Sequence, residues 1–164
     1  MIFEAIKSIC PGILDSQFRL QDDGTGPYIA FWSYGQPQPT QAQIDAAIPG
    51  LLKAAALYRI NADYQTTISS MTSGYPADEV QSWSKQETEA RAWLADNTAA
   101  TPWIDAAASS RGITKAALVN LIIANANALA PFHGAITGKR QRLRDQIEAL
   151  GATPTQAQLD AIQW

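Results

Sequence analysis

The feature that most constrains the fold is a recurrence of apolar residues every seven positions towards the C-terminal end of the chain. The recurring positions hold Ile122, Leu129, Ile136, Leu143 and Leu150, and the complementary positions include Val119, Ala126 and Ile147. This period is typical of a helix that buries one stripe against other helices. His133 and Arg140 interrupt the stripe, and Pro131, Gly134 and Gly138 predict a kink or break there.

The stripe could bury itself within one chain or join several chains. We favour packing within the chain, because self-association would bring the charges of His133 and Arg140 together in a desolvated seam. Pro131 also removes a backbone hydrogen bond in that region. We therefore expect a monomer when the protein is isolated. The candidate partner contacts on this seam, against the chain itself or a bound protein, are Ile122, Leu129, Leu143 and Ile147.

Hydrophobic residues make up 46% of the 164 residues, and many of them are alanine. Alanine favours helix but buries little area per residue. Long helices that pack closely on one another or on a partner are therefore expected, in place of a thick core.

The first 35 residues predict a short helix and one β-hairpin. Apolar residues recur at helical spacing from Ile2 to Cys10, and Pro11-Gly12 ends that helix. Residues 17–21 alternate polar and apolar like a strand, and residues 28–32 are aromatic and branched. The Asp-Gly and Gly-Pro pairs between them are turn residues.

The remaining chain predicts helices. Thr40 and Gln43 form a capping box at the start of a helix that Pro49-Gly50 should break or restart and that continues to about Thr72. Further helices are expected from Ala77, from Pro102 to a stop at Arg111-Gly112, and after a cap at Thr114. The predicted fold class is α+β: a helix-and-hairpin domain at 1–48, a connecting helix at 49–75 and a helical module at 76–164.

The octamer Pro39–Ala46 recurs with one substitution as Pro154–Ala161. One octamer is too short for a solenoid repeat. We interpret it as two uses of the same helix-start signal.

Residues for catalysis or metal binding are scarce. The chain has one histidine, His133, and one cysteine, Cys10, and its only adjacent acids in a turn are Asp22 and Asp23. We expect no enzyme activity, no cofactor and no metal. The net charge of −3 argues against nucleic acid as a partner, and no stretch approaches the roughly 20 apolar residues of a membrane span.

Aromatic residues crowd the second strand and its exit: Tyr28, Phe31, Trp32 and Tyr34. Most are expected in the core of the small domain. If Tyr28 and Trp32 shared an outer face, they would form a patch for a protein or a sugar. These four residues are candidate partner-binding residues.

The sequence from Phe18 to Trp32, including the turn Asp23-Gly24-Thr25-Gly26, followed by Pro37-Gln38-Pro39-Thr40, resembles the XkdW-like prophage proteins. The resemblance covers residues 1 to about 50. It implies two helices and two strands in a protein encoded beside tail-fibre genes.

The stretch from Ala77 to Trp164 resembles a helical module of unassigned function that is common in phage tail-fibre and fibre-assembly proteins. The residues that carry this resemblance are Tyr75–Glu79, Trp83, Gln86-Glu87, Ala90–Trp93, Pro102–Ile104, Arg111-Gly112 and Gly138–Gln141. Neither resemblance brings catalytic residues.

Together the resemblances imply a protein that binds the tail fibre or receptor-binding protein, as a structural connector in the virion tail or as an assembly chaperone in the host cytoplasm. The alternative is a carbohydrate-binding receptor-recognition module at the tail tip, with Tyr28, Trp32 and Tyr34 as its stacking platform.

Overall fold

The computed structural model describes residues 1–164, and its elements run in the predicted order of helix, hairpin and helices. The elements are α1 (Ile2–Ile9), a 3₁₀ turn (Asp15–Gln17), β1 (Phe18–Asp22), β2 (Pro27–Trp32), α2 (Gln41–Thr72), α3 (Ala77–Ala95), α4 (Pro102–Arg111), α5 (Lys115–Ala149) and α6 (Gln156–Asp160). The α+β class, with a hairpin near the N-terminus and a mostly helical remainder, is confirmed.

The chain divides into two compact units. The first unit comprises Met1–Ala62 and Gln141–Trp164, and the second comprises Asp63–Arg140. Each unit has its own buried apolar residues. The first unit combines residues from both ends of the chain. The boundaries expected at 48 and 75 instead divide the chain into consecutive segments, so the two divisions cannot be compared directly and the boundaries stay a prediction.

In the first unit, α1 covers one face of the two-stranded antiparallel sheet. The buried cluster there comprises Ala5, Ile6, Cys10, Ile13, Phe18 and Ile44. Leu20, Ile29 and Trp32 pack against it from the strands. A two-stranded sheet is marginal alone in water, so this contact with helices is what stabilises the hairpin.

A second cluster in the first unit joins helix segments that are distant in sequence. It comprises Ala56 and Ile60 of α2, Leu143 and Ile147 of α5, and Leu159 of α6. Arg59 holds the C-terminal residues in place, since its guanidinium donates to the carbonyl oxygens of Leu159 at 2.9 Å and Ile162 at 2.8 Å. Leu159 lies in the last turn of α6 and Ile162 follows the helix, so Arg59 caps that short helix from outside.

The expected break at Pro49-Gly50 is wrong, because α2 is continuous from Gln41 to Thr72. Proline removes one hydrogen bond to the carbonyl four residues earlier. That carbonyl belongs to Asp45, which is exposed, so water can satisfy it. Ile44 and Ala56, buried on either side of Pro49, anchor the helix in the core.

The recurring octamer makes the same contacts in both places. Thr40 and Thr155 each accept a hydrogen bond from the amide three residues on, through the capping boxes Thr40–Gln43 and Thr155–Gln158. Ile44 and Leu159, at matching positions, are each almost fully buried. The interpretation as a helix-start signal used twice is confirmed.

In the second unit, α3, α4 and the first half of α5 pack around Ala90, Ile104, Ala108, Leu118, Val119 and Ile122. The predicted stop at Gly112 and the cap at Thr114 are confirmed. Gly112 takes the left-handed conformation at φ 65°, and Thr114 Oγ1 accepts from Ala117 N at 3.2 Å.

The start of α4 is capped by a residue of another helix. Glu89 of α3 is 9% exposed, and its carboxylate accepts from the amides of Ile104 at 3.0 Å and Trp103 at 3.4 Å. Thr101, the residue before Pro102, makes no side-chain cap to these amides. The positive end of the α4 dipole and two otherwise orphan donors therefore meet a buried carboxylate.

Of the kink or break predicted near Pro131, the break is wrong, because α5 is one helix from Lys115 to Ala149. The kink stays a prediction. Pro131 and Gly134 are exposed, so the backbone there can be hydrated. The helix contains an 18-residue window of mean hydropathy 1.3, of which 17% is buried. Against the expectation from sequence, α5 is therefore long and apolar enough to cross a membrane, by length and composition only.

Replacing Glu89 with alanine should lower the free energy of unfolding by about 2–3 kcal/mol, because two amides lose a charged acceptor inside the protein. Urea unfolding followed by circular dichroism measures the change. Gln81→Ala, at an exposed position of the same helix, is the control and should change stability by less than about 0.5 kcal/mol. Equal stability of the two variants would show that the cap contributes nothing.

Replacing Arg59 with methionine should release the C-terminal segment without unfolding the rest. The amides of Leu159, Ala161 and Ile162 are expected to exchange with deuterium about tenfold faster, since the bonds that hold their segment are gone. Arg142→Met is the control, because Arg142 is exposed in the same unit and has no ion pair. Unchanged exchange in Arg59→Met would contradict the capping role.

Candidate partner-binding surfaces

The two strands of the hairpin pair through a bulge that decides which aromatics face outward. Arg19 pairs with Phe31, whereas the next residue, Leu20, pairs with Ile29, so Ala30 is an extra residue in β2. An extra residue reverses the alternation of side chains beyond it. Tyr28 and Phe31 therefore share the outer face, 41% and 45% exposed.

The bulge corrects the expectation that Tyr28 and Trp32 could form one patch. Trp32 pairs with Phe18 and packs on the inner face against the buried cluster. Its indole N–H donates to the carbonyl of Gln36 at 2.9 Å, and Tyr34 contacts its ring edge-on at 6.1 Å. The predicted stacking platform of Tyr28, Trp32 and Tyr34 is not assembled.

The tip of the hairpin is built by its two aspartates. Asp22 accepts from the amides of Gly24 at 2.8 Å and Gly26 at 3.1 Å, both of which have positive φ. Asp23 accepts from Tyr28 Oη at 2.7 Å and from Gln21 at 2.8 Å. Both carboxylates thus stabilise the turn through hydrogen bonds.

These hydrogen bonds shift the pKa values of two exposed groups in opposite directions. The bond from Tyr28, and after it the bond from Gln21, holds the pKa of Asp23 below its ordinary value of 3.8. The same bond to Asp23 raises the pKa of Tyr28 above 10.0. The pairing thus favours charged Asp23 and neutral Tyr28.

The four seam residues proposed for partner contact lie mostly inside their own units. Ile122 is 8% exposed, Leu143 is 4% exposed and Ile147 is fully buried. Leu129 is half-buried and lines a groove in the second unit. Contacts within the chain therefore take up most of this seam.

The second unit has a concave apolar groove with a volume of about 1120 Å³, lined by α3, α4, α5 and the last turn of α2. Its larger apolar side chains are Met71, Tyr75, Trp83, Trp103, Leu118, Leu121, Ile122, Leu129 and Phe132. Tyr75 and Trp83 meet edge-on at 5.2 Å at one end. A smaller cavity of about 190 Å³ adjoins it and shares Trp83 and Leu129.

Sequence reasoning missed this groove because it followed only one stripe of α5. A second stripe lies beside the first, at Leu118, Leu121, Asn125, Ala128 and Phe132. These positions alternate by three and four residues, which is helical spacing. Leu121 and Phe132 are 48% and 49% exposed, so this stripe is only partly covered.

No group of three or more histidine, cysteine, aspartate or glutamate side chains lies close enough to hold a metal ion. The arrangement offers apolar contact area and hydrogen-bonding backbone at the strand edges.

Replacing Tyr28 with phenylalanine should raise the pKa of Asp23 towards 3.8, although the Gln21 bond keeps part of the shift. Because the folded pKa is lowered, the contribution of Asp23 to the turn is present above its ordinary pKa and is lost as the pH falls through the folded value. NMR of the Asp23 carboxyl carbon measures the midpoint of its titration. Tyr75→Phe should leave it unchanged, and an unmoved midpoint in Tyr28→Phe would contradict the assignment.

Two family models match the chain, each over less than half of its length. Residues 2–56 match the XkdW protein family, and residues 124–164 match the HI1402 helical domain. No curated protein and no solved structure matches the chain. The XkdW match covers α1, the hairpin and the first part of α2, as the sequence resemblance predicted. The second match covers the C-terminal part of the predicted helical module. The chain therefore combines an XkdW-type N-terminal segment with a second, helical module, and it is a bacteriophage-related protein.

Proposed function

We propose that this chain is a non-enzymatic phage tail protein that binds the tail fibre or the receptor-binding protein. The observation that carries the proposal is the exposed outer face of the hairpin, inside the segment that matches XkdW. Tyr28 and Phe31 stand on that face, more than two-fifths exposed.

The hairpin also offers hydrogen-bonding groups to a partner. β1 and β2 pair only with each other, so each strand has one edge without a neighbouring strand. An extended segment of another protein can add to such an edge, with backbone bonds giving affinity and side chains giving specificity. The aromatic pair beside the edge would supply the apolar contact.

Two roles fit such a surface: a structural connector that stays in the virion tail, and an assembly chaperone that acts in the host cytoplasm. We favour the connector, because the tryptophan-containing helical part exceeds what a minimal helper requires. The isolated chain is proposed to be a monomer, since most of the α5 seam is buried within the units. Mass spectrometry of purified virions separates the two roles.

Co-expression of the chain with the tail-fibre or receptor-binding protein of the same phage should yield a complex that co-purifies. Phe31→Asp should weaken it at least about fivefold, because a charge enters an apolar contact at the centre of the face. Affinity is measured by biolayer interferometry on the purified components.

Leu14→Asp is the matched control, because Leu14 is 62% exposed in the same unit and lies outside the hairpin. Loss of binding in both variants would point to a general loss of stability. If the proteins never co-purify and the fibre folds normally without this chain, the proposed function is wrong.

A further inference from the structure

The second unit leaves apolar surface uncovered on its longest helix. The most apolar window of α5 is only 17% buried, and Leu121 and Phe132 are about half exposed. Large apolar side chains that are exposed and line one groove are typical of an interaction site. The groove concentrates it, because Trp83 and Trp103 bring aromatic surface from α3 and α4 to the same side.

The size and shape of the groove favour a helix as its occupant. The volume of about 1120 Å³ lies near the upper end of the range for small-molecule sites, roughly 300–1000 Å³, so the length of the groove is the stronger indication. Along α5 the lining runs from Leu118 to His133, which at 1.5 Å per residue is roughly 22 Å. That length accommodates about four helical turns. The small adjoining cavity offers a place for one anchoring side chain.

A second copy bound through the same surface would not fill the groove. A symmetric dimer places the same patch of each protomer face to face. Two concave surfaces in that arrangement leave the space between them empty. The groove needs a convex ridge, which a helix of a different protein supplies.

The two ends of the groove carry opposite charges. Arg111 ends α4, and three residues separate it from the start of α5 at Lys115, so it lies at the Leu118 end. Glu79 lies in the first turn of α3, next to Val80, whose side chain lines the small cavity with Leu129 and His133. Neither Arg111 nor Glu79 has an ion pair within the chain. Both remain available to a partner.

We propose that this groove binds an amphipathic α-helix of the tail-fibre or receptor-binding protein, with a basic residue near Glu79 and an acidic residue near Arg111. The inference rests on the proposed function and adds a second contact to that of the hairpin. The apolar stripe of the bound helix gives affinity, and the charges at the two ends give its direction.

The test compares the affinity of three full-length proteins, the wild type, Leu121→Glu and Leu94→Glu, for the same tail-fibre or receptor-binding protein. Leu121→Glu places a charge in the groove and should weaken binding at least about tenfold. Leu94→Glu is the matched control, because Leu94 is 54% exposed on α3 and does not line the groove. Both positions are exposed and helical, so both variants should unfold at the temperature of the wild type.

The outcomes separate the two proposals. Loss of binding in Leu121→Glu alone supports the groove. Equal binding by all three proteins overturns the groove and leaves the proposed function standing. Absence of binding by the wild type overturns both. Light scattering shows whether the free protein is a dimer that Leu121→Glu dissociates, which would overturn the choice of occupant.

Synthetic helices test the charges directly. The probes are three amphipathic peptides of 15 residues with the same apolar stripe, in which alanine lies opposite Leu121 and Phe132 and leucine lies opposite Ala128. They carry lysine at one end and glutamate at the other, lysine at both, or glutamate at both. The wild type should prefer the mixed peptide by about threefold. Arg111→Glu should shift the preference to the lysine peptide, and Glu79→Lys to the glutamate peptide. Equal affinity for all three peptides, or no binding, would overturn the assignment.

Discussion

The burial of one stripe of α5 is the constraint on which both compact units depend. Val119 and Ile122 fill the core of the second unit, and Leu143 and Ile147 fill a cluster of the first. Their neighbours include alanines, Ala90 and Ala108 in one unit and Ala56 in the other. Alanine adds little buried area itself, but it lets helix backbones approach closely. A few large side chains of one helix therefore contribute to a buried cluster in each unit, while the cluster under the hairpin forms without α5.

Polar groups inside this packing are satisfied by contacts from distant parts of the chain. The Glu89 carboxylate ties α3 to the first turn of α4, and the Arg59 guanidinium ties α2 to the end of α6. No buried side-chain nitrogen or oxygen lacks a hydrogen-bond partner. Leaving such a group unpaired costs more than a normal bond contributes, so these contacts select one arrangement of the helices.

Local signals predicted much of the fold, because they act through neighbouring residues. The hairpin turn, the capping boxes at Thr40 and Thr155 and the stop at Gly112 all depend on a few adjacent positions. The prolines led to predicted helix breaks that do not occur, because the destabilisation of a helix by one proline can be offset by tertiary packing and hydration. The bulge at Ala30 and the cap from Glu89 could not be predicted, because each depends on a residue supplied by another element. The groove could not be predicted for the same reason, because α2, α3, α4, α5 and the turn before α3 all contribute to it.

The uncovered stripe of α5 limits what can cover it. Its larger members, Leu121 and Phe132, are separated by Asn125 and Ala128, which are small or polar, so the surface has two ridges with a shallow stretch between them. Close packing between helices requires large side chains opposite small ones. A covering helix must therefore be narrow where it crosses Leu121 and Phe132 and bulky over Ala128. A uniformly leucine-rich stripe would clash at the ridges, so shape as well as charge restricts which helices can bind.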